Sequence, residues 1–115
     1  MDAGSKQMAR DLTFEERAAV NALKFFEETA DKRRLVATLR MSEQALNALV
    51  RSRIARPCNV VKEPGNNEKF FQVRFSINEL YRYVMFICKR AGVEVQLDGS
   101  IRTKDNHVVS IETSQ

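Results

Sequence analysis

The apolar residues of this 115-residue chain change their spacing at Pro57, and that change constrains the fold more than any other feature. Before Pro57 they recur every three or four positions, as Leu46 and Leu49 do, which is the period of an α-helix. From Phe71 to Phe75 they alternate with polar residues, which is the period of a β-strand. The pattern predicts an α+β domain in which helices come first and a sheet follows.

Capping signals divide the part before Pro57 into helices. Thr13 and Glu16 have the spacing of a capping box, in which each side chain accepts a hydrogen bond from the other's backbone amide. Ser42 is a good N-cap for the apolar stripe that follows it. The three predicted helices run from about Phe14 to Thr29 or Asp31, from about Lys32 to Leu39, and from about Glu43 to Ile54.

The part after Pro57 is predicted to hold hairpins and one more helix. Turn residues between Pro64 and Asn67 separate two β-prone runs, which indicates a hairpin. Ser76 begins a second capping box, and its helix is expected to end near Arg90, with Gly92 after its end. We expect residues 1–12 to be flexible, residues 13–92 to form one domain, and residues 93–115 to add a β extension packed on that domain. This extension is a hairpin between Val93 and Thr103, with a short strand from Val108 to Ile111.

Positive charge is concentrated in one segment of the chain. The formal net charge is +4, whereas residues 32–62 alone carry eight basic side chains and one acidic side chain. Such a concentration favours a polyanionic partner, because each neutralised phosphate releases condensed counterions.

The segment from Leu35 to Leu49 resembles a helix-turn-helix. The residues at the core and cap positions of that motif are Val36, Leu39, Met41, Ser42, Leu46 and Leu49. Two positions depart from it, since Arg40 stands where the turn usually has Gly and Val36 where Ala is commoner. Together with the hairpin that follows, the segment from Phe14 to Arg90 resembles the winged helix-turn-helix superfamily. The resemblance implies three N-terminal helices, a β-hairpin wing, a further helix and a C-terminal β-hairpin. It also implies binding of double-stranded DNA.

The predicted third helix carries the candidate contacts to DNA bases. With its leucines buried, its opposite face presents Gln44, Asn47 and Arg51, whose side chains can make bidentate hydrogen bonds to base edges in the major groove. Glu43 counts against this face, because a carboxylate near phosphates is unfavourable. Lys69 and the Asn66–Asn67 tip belong to the wing. The candidate phosphate contacts are Ser42, Arg33, Arg34, Arg40, Arg53, Arg56 and Lys62.

The helix from Ile77 to Arg90 is apolar over most of its circumference, which leaves two interpretations open. It is either a core helix covered by the C-terminal hairpin or the interface of a homodimer that addresses two half-sites. The candidate interface residues are Leu80, Tyr81, Val84, Ile87 and Cys88.

Enzymatic chemistry finds no support in the sequence. His107 is the single histidine and is predicted to lie in a loop, so no metal site is expected. We also expect no cofactor, no small-molecule substrate and no membrane span. Cys58 and Cys88 are expected to be reduced thiols in a cytoplasmic protein.

The sequence therefore predicts a small transcriptional regulator that binds duplex DNA, and it leaves three alternatives. An adaptor or inhibitor with a winged-helix scaffold would bind protein through the helix from Ile77 to Arg90. An architectural or replication DNA-binding protein would have the same sequence features. Binding of single-stranded nucleic acid would need aromatic side chains on an open sheet face, for which Phe70 is the candidate.

Overall fold

The computed structural model describes residues 12–92 and 107–113, which form three α-helices and one antiparallel sheet of four strands. The predicted α+β class is confirmed. Two short 3-10 turns, at Lys32–Arg34 and Pro57–Asn59, precede the first and second strands. The helices are α1 (Phe14–Glu28), α2 (Glu43–Arg51) and α3 (Ile77–Ala91), and the strands are β1 (Leu35–Ser42), β2 (Val60–Lys62), β3 (Phe70–Ser76) and β4 (Val108–Thr113).

The strand order is β2-β3-β1-β4, with antiparallel pairing throughout. Helix α2 connects β1 to β2, and β3 lies between these two strands in the sheet. In the same way, β4 follows β3 in the order of strands along the chain, and β1 lies between them. This connectivity is that of a split β-α-β arrangement. Thr38 in the centre of β1 pairs with Arg74 on one side and Ser110 on the other, so β1 is hydrogen-bonded along both edges.

One face of the sheet packs against helices α1 and α3. The alternate residues of β1 that point to this face have relative exposures of 6% or less, and they share a core with Phe26 of α1 and Leu80 of α3. The residues that point to the other face of β1 and β3 are mostly polar, as expected of an antiparallel sheet with one face towards the core. The buried residues of β1 are Leu35, Ala37, Leu39 and Met41.

The predicted helix from Lys32 to Leu39 is wrong, because these residues begin strand β1. The expectation rested on Leu35, Val36 and Leu39 at helical spacing, but the same segment also has an apolar residue at every second position from Leu35 to Met41. The neighbouring strands β3 and β4 hydrogen-bond to the backbone of this segment on both sides. This long-range pairing outweighs the local helical preference. The described residues consequently contain no helix-turn-helix unit, and they have two α-helices before Pro57, α1 and α2, where three were expected.

The other helix boundaries agree closely with the predictions. Both capping boxes are present, Thr13 with Glu16 and Ser76 with Glu79, and the Ser42 hydroxyl caps α2 by accepting from the amide of Ala45. Gly92 ends α3 with a φ of 71°, the left-handed conformation that glycine adopts without steric cost.

Arg40 does not adopt the left-handed turn that the resemblance implied, since it lies in the middle of β1. Among the described residues other than glycine, the one with a positive φ is Arg53, at 59°. It follows α2, where Ile54 donates to the carbonyl of Leu49 and Arg53 donates to the carbonyl of Val50. These two hydrogen bonds form a Schellman motif, and Arg53 occupies the position that usually holds glycine.

The β2–β3 hairpin is confirmed, and β4 contains the short strand predicted from Val108. The predicted hairpin between Val93 and Thr103 lies outside the described residues. None of the described helices is long and apolar enough to cross a membrane.

Candidate nucleic-acid interface

The outer face of α2 carries the three candidate base-contact residues. Leu46 and Leu49 are buried, as predicted, and Gln44, Asn47 and Arg51 are exposed. At 100° per residue, these three side chains fall within an arc of about 60° on the helix surface. The structure therefore brings them together on one solvent-facing strip, opposite the two leucines.

The C-terminal end of α2 is basic and well anchored. Ile54 is 8% exposed and holds the residues after the helix against the core, while Arg51, Arg53 and Arg56 on either side are exposed. Asn59 fixes the chain beyond them, because its side chain accepts from the amide of Arg56 at 2.9 Å. Three guanidinium groups thus emerge from a stretch of backbone that internal contacts hold in place.

The anchor at Asn59 reaches two further elements. Its amide nitrogen donates to the carbonyl of Arg74 in β3 at 2.6 Å and to the Glu79 carboxylate in α3 at 3.1 Å. The side chain is about 9% exposed and has partners for both its oxygen and its nitrogen. The segment between α2 and β2 is therefore attached to the sheet and to α3.

The N-terminal end of α2 is acidic, and this corrects one candidate. The Ser42 hydroxyl accepts from the amide of Ala45 and donates to the carboxylate of Glu15, 3.2 Å away. The backbone amide of Ser42 donates to the same Glu15 oxygen at 3.1 Å. A carboxylate occupies the place where a phosphate would approach, so Ser42 is not available as a phosphate contact.

The basic segment of the sequence is divided in space by β1. Arg33 and Arg34 precede this strand, whereas α2 follows it, and the strand's length corresponds to roughly 23 Å. Arg34 also forms an exposed ion pair with Asp31, at 3.7 Å. Arg33 and Arg34 therefore lie at the far end of β1 from α2, not beside the arginines that follow α2.

A second concentration of basic residues lies on the outer face of the sheet. The register pairs Arg40 of β1 with Gln72 of β3, and Gln72 with Lys62 of β2, which puts the three side chains on one face. Phe70, two residues before Gln72, is on the same face and meets the His107 ring in a T-shaped contact with centroids 5.3 Å apart. Together with Asn67, Lys69, Glu63 and Glu68, these residues line a cavity of about 500 Å³.

His107 is the member of this cluster that the sequence did not indicate. Its carbonyl accepts from the backbone amide of Arg40 at 2.6 Å, which fixes the start of β4 against the middle of β1. The irregular pairing near Leu39 accompanies this contact. Arg40 and His107 are 67 positions apart, and periodicity alone cannot predict that they meet. The sequence therefore did not indicate that His107 lies beside Phe70.

The candidate dimer interface on α3 is corrected in its central residues. Leu80, Val84 and Ile87 are at most 4% exposed in the single chain, because α1 and the sheet already cover them. Tyr81 and Cys88 are half-buried. The structure therefore supports the interpretation of α3 as a core helix. The elements that cover its apolar stripe are α1 and the sheet, whereas the C-terminal hairpin was expected.

Two tyrosines on α3 have raised pKa values for different reasons. The Tyr81 hydroxyl donates to the Glu27 carboxylate, and this hydrogen bond, helped by burial, raises the pKa of Tyr81 to about 12. Burial is the main cause of the raised pKa of Tyr83, which stacks on Phe75 with centroids 5.4 Å apart. Both rings are structural members of the core or its margin.

A separate groove of about 380 Å³ lies between the start of α1, α2 and the end of α3. Its floor contains Leu49 and Ile87, and its rim contains Glu15, Glu16 and Arg90. The described residues contain no group of three or more His, Cys, Asp or Glu side chains that could hold a metal ion.

The chain has no match in comparisons with family models, curated proteins or solved structures.

Proposed function

We propose that this protein binds double-stranded DNA and that α2 is the helix that enters the major groove. The observation that carries the proposal is the common exposed strip formed by Gln44, Asn47 and Arg51. Glutamine and asparagine can pair bidentately with adenine, and arginine with guanine. A strip with all three chemistries can distinguish base pairs, which a face of lysines alone could not.

Phosphate contacts in this proposal come from the two sides of α2. Arg53 and Arg56 follow the helix, and Lys62 and Lys69 lie on or beside the two strands of the hairpin. The hairpin belongs to the same sheet as β1, so the proposed interface is a helix beside a sheet and not the expected winged helix-turn-helix. Leu46 and Leu49 hold α2 on the core.

The biological setting that fits this interface is a small cytoplasmic transcriptional regulator. Dimerisation remains a prediction. It would have to use a surface other than Leu80, Val84 and Ile87, because those side chains are buried within one chain. The adaptor alternative placed protein binding on the helix from Ile77 to Arg90, and it would have to use the side of α3 where Met85 is 68% exposed.

The decisive experiment is selection of bound sites from a pool of random duplexes, performed on the unmodified protein and on Arg51→Ala. We expect the unmodified protein to enrich one motif and Arg51→Ala to lose preference at one base pair of it. Arg82→Ala is the matched control, since Arg82 is an exposed arginine on α3 rather than on α2.

Salt dependence provides the second readout of the same binding. Four cationic contacts predict a slope of roughly −3 to −4 in a plot of log affinity against log salt concentration. Failure to enrich any motif, together with no duplex binding at low salt, would refute the proposed function.

A further inference from the structure

We propose that the outer face of the sheet is a second nucleic-acid site, which binds an unpaired nucleotide of a single strand by stacking its base on Phe70. Phe70 and the strip Gln44, Asn47 and Arg51 on α2 are separate, whereas Lys62 and Lys69 are shared with the proposed duplex contacts. The observations behind it are an aromatic pair, three cations and two side-chain amides gathered in one cavity of about 500 Å³.

The aromatic pair is assembled from distant parts of the chain and held by backbone contacts. Phe70 begins β3 and pairs with Ser42, while His107 is attached to Arg40 through its carbonyl. Phe70 is half-buried, so part of its ring is fixed and part borders the cavity. A rigid, partly exposed aromatic ring on an antiparallel sheet is a surface on which a base can stack.

Cations around the ring suit the phosphates that flank a stacked base. Arg40, Lys62 and Lys69 all border the cavity, and they outnumber its two carboxylates, Glu63 and Glu68. The Glu68 carboxylate is engaged by the backbone amide of Gly65 within the hairpin loop, at 3.0 Å. With three basic and two acidic side chains, the lining has a net positive charge, which favours a phosphate.

The cavity also contains groups that can hydrogen-bond to a base edge. Gln72 lies between Arg40 and Lys62 in the register and is half-buried, and Asn67 borders the same space from the hairpin loop. Their amides offer both donors and acceptors, so they can pair with the exposed edge of any base.

An unpaired nucleotide fits this site better than a duplex does. In a duplex each base is stacked on both faces and paired along its edge, so it can reach Phe70 only if it leaves the helix. A single strand has base faces available without that cost. DNA and RNA strands share this chemistry, and the test includes both.

The absence of tryptophan from the sequence allows a direct test of stacking. In Phe70→Trp the introduced indole is the only tryptophan, and we expect oligo(dT) or oligo(U) of about ten nucleotides to quench its emission at low salt. Phe25→Trp is the matched control, because Phe25 is an exposed phenylalanine on α1, away from the sheet face. Its emission should not change at the same oligonucleotide concentrations.

Affinity measurements by fluorescence anisotropy complete the test. Phe70→Leu should weaken oligonucleotide binding roughly 5- to 150-fold, the range found when a stacking aromatic is removed. Lys62→Gln should reduce the salt slope by about 0.7, whereas Lys89→Gln, on the exposed side of α3, should leave it unchanged. A circular dichroism melt of each variant establishes that it is folded.

The outcomes for the two proposed sites are separable. Phe70→Leu should leave duplex affinity unchanged, and Arg51→Ala should leave oligonucleotide affinity unchanged. The sheet-face site is overturned if the unmodified protein binds neither oligonucleotide at low salt. It is equally overturned if a folded Phe70→Leu variant binds as tightly as the unmodified protein. A stronger response to oligo(dT) or to oligo(U) would identify which of these two strands the site prefers.

Discussion

Glu15 and Ser42 are joined by two hydrogen bonds to a single carboxylate oxygen, one from the backbone amide of Ser42 and one from its hydroxyl. Glu15 is in the first turn of α1, and Ser42 is both the last residue of β1 and the N-cap of α2. The contact thus connects three elements at one point, across 27 residues of chain. It also gives the N-terminus of α2 the negative charge that its dipole favours.

Removal of this carboxylate should therefore lower the stability of the whole domain. We expect Glu15→Ala to reduce the free energy of unfolding by about 1–3 kcal/mol, because two hydrogen bonds to a charged acceptor are lost from a partly buried position. Ser42→Ala should cost about 1–2 kcal/mol through the loss of the cap. Urea denaturation of both variants measures these changes.

The double variant tests whether the two residues act together. If the two residues interact, the double variant should lose less stability than the sum of the losses in Glu15→Ala and Ser42→Ala. Glu63→Ala is a suitable control, since Glu63 is exposed in the hairpin loop and should change stability by less than about 0.5 kcal/mol. Strict additivity would contradict the coupling.

Arg53 is expected to cost stability where it stands. Its positive φ is unfavourable for a residue with a Cβ atom. Arg53→Gly should therefore raise the free energy of unfolding by up to about 1 kcal/mol. This figure allows for the opposing effect that glycine increases the entropy of the unfolded chain. Arg51→Gly, two residues earlier and inside α2, should instead lower it by about 1 kcal/mol. Thermal or urea unfolding of the pair distinguishes a left-handed position from a helical one. An unchanged or lower stability of Arg53→Gly would contradict the Schellman geometry.

The division of the basic segment by β1 predicts unequal roles for its arginines in duplex binding. Arg51→Ala should weaken binding to the preferred site by about 1–3 kcal/mol, and Arg53→Ala should weaken binding to all duplexes alike. Arg33→Ala should have a smaller effect than Arg53→Ala, because Arg33 lies at the other end of β1. Titrations with a preferred and an unrelated duplex measure all three. An effect of Arg33→Ala equal to that of Arg53→Ala would show that the interface extends along the sheet.

The two tyrosines should ionise above their ordinary range in the folded protein. The hydrogen bond to Glu27 raises the pKa of Tyr81 to about 12, and burial raises the pKa of Tyr83 as well. These are the only tyrosines in the sequence, so the tyrosinate absorbance should stay low near pH 10 and rise at higher pH. The same titration in denaturant should have its midpoint near 10.

The raised tyrosine pKa values also predict how stability depends on pH. The folded state holds its phenolic protons more tightly than the unfolded state does, so the unfolded state binds fewer protons above pH 10. Stability from this source is complete below pH 10 and is lost as the pH rises towards 12. In Tyr81→Phe the loss should be shallower, because one of the two groups is gone. A tyrosinate midpoint near 10 in the native protein would contradict both the Tyr81–Glu27 hydrogen bond and the burial of Tyr83.

The sequence predicted the elements that local chemistry determines. Capping boxes at Thr13 and Ser76 placed the starts of α1 and α3, and the leucines of α2 predicted which side of that helix is exposed. The segment from Leu35 to Met41 was misassigned because its apolar residues satisfy both a helical and an alternating period. Only the hydrogen bonds from β3 and β4, 30 or more residues away, decide between them.

The candidate site was predictable to a similar extent. Exposure of Gln44, Asn47 and Arg51 follows from helical geometry, which needs only neighbouring residues. The distance of Arg33 from α2 and the meeting of Phe70 with His107 depend on sheet order, which periodicity does not encode. The basic residues are close together in the sequence between residues 32 and 62, but they are not all close together on the surface.

Because β1 lies in the middle of the sheet, it needs a partner strand on each side, and β4 is one of the two. β4 closes one edge of β1, from Leu35 to Leu39, which would otherwise be a bare row of amides and carbonyls. A protein that ends before Val108 would present that row to any extended peptide, including another copy of itself. Shortened versions of this chain should therefore self-associate through β1, and a complex formed in that way would reflect a missing strand rather than a native partner.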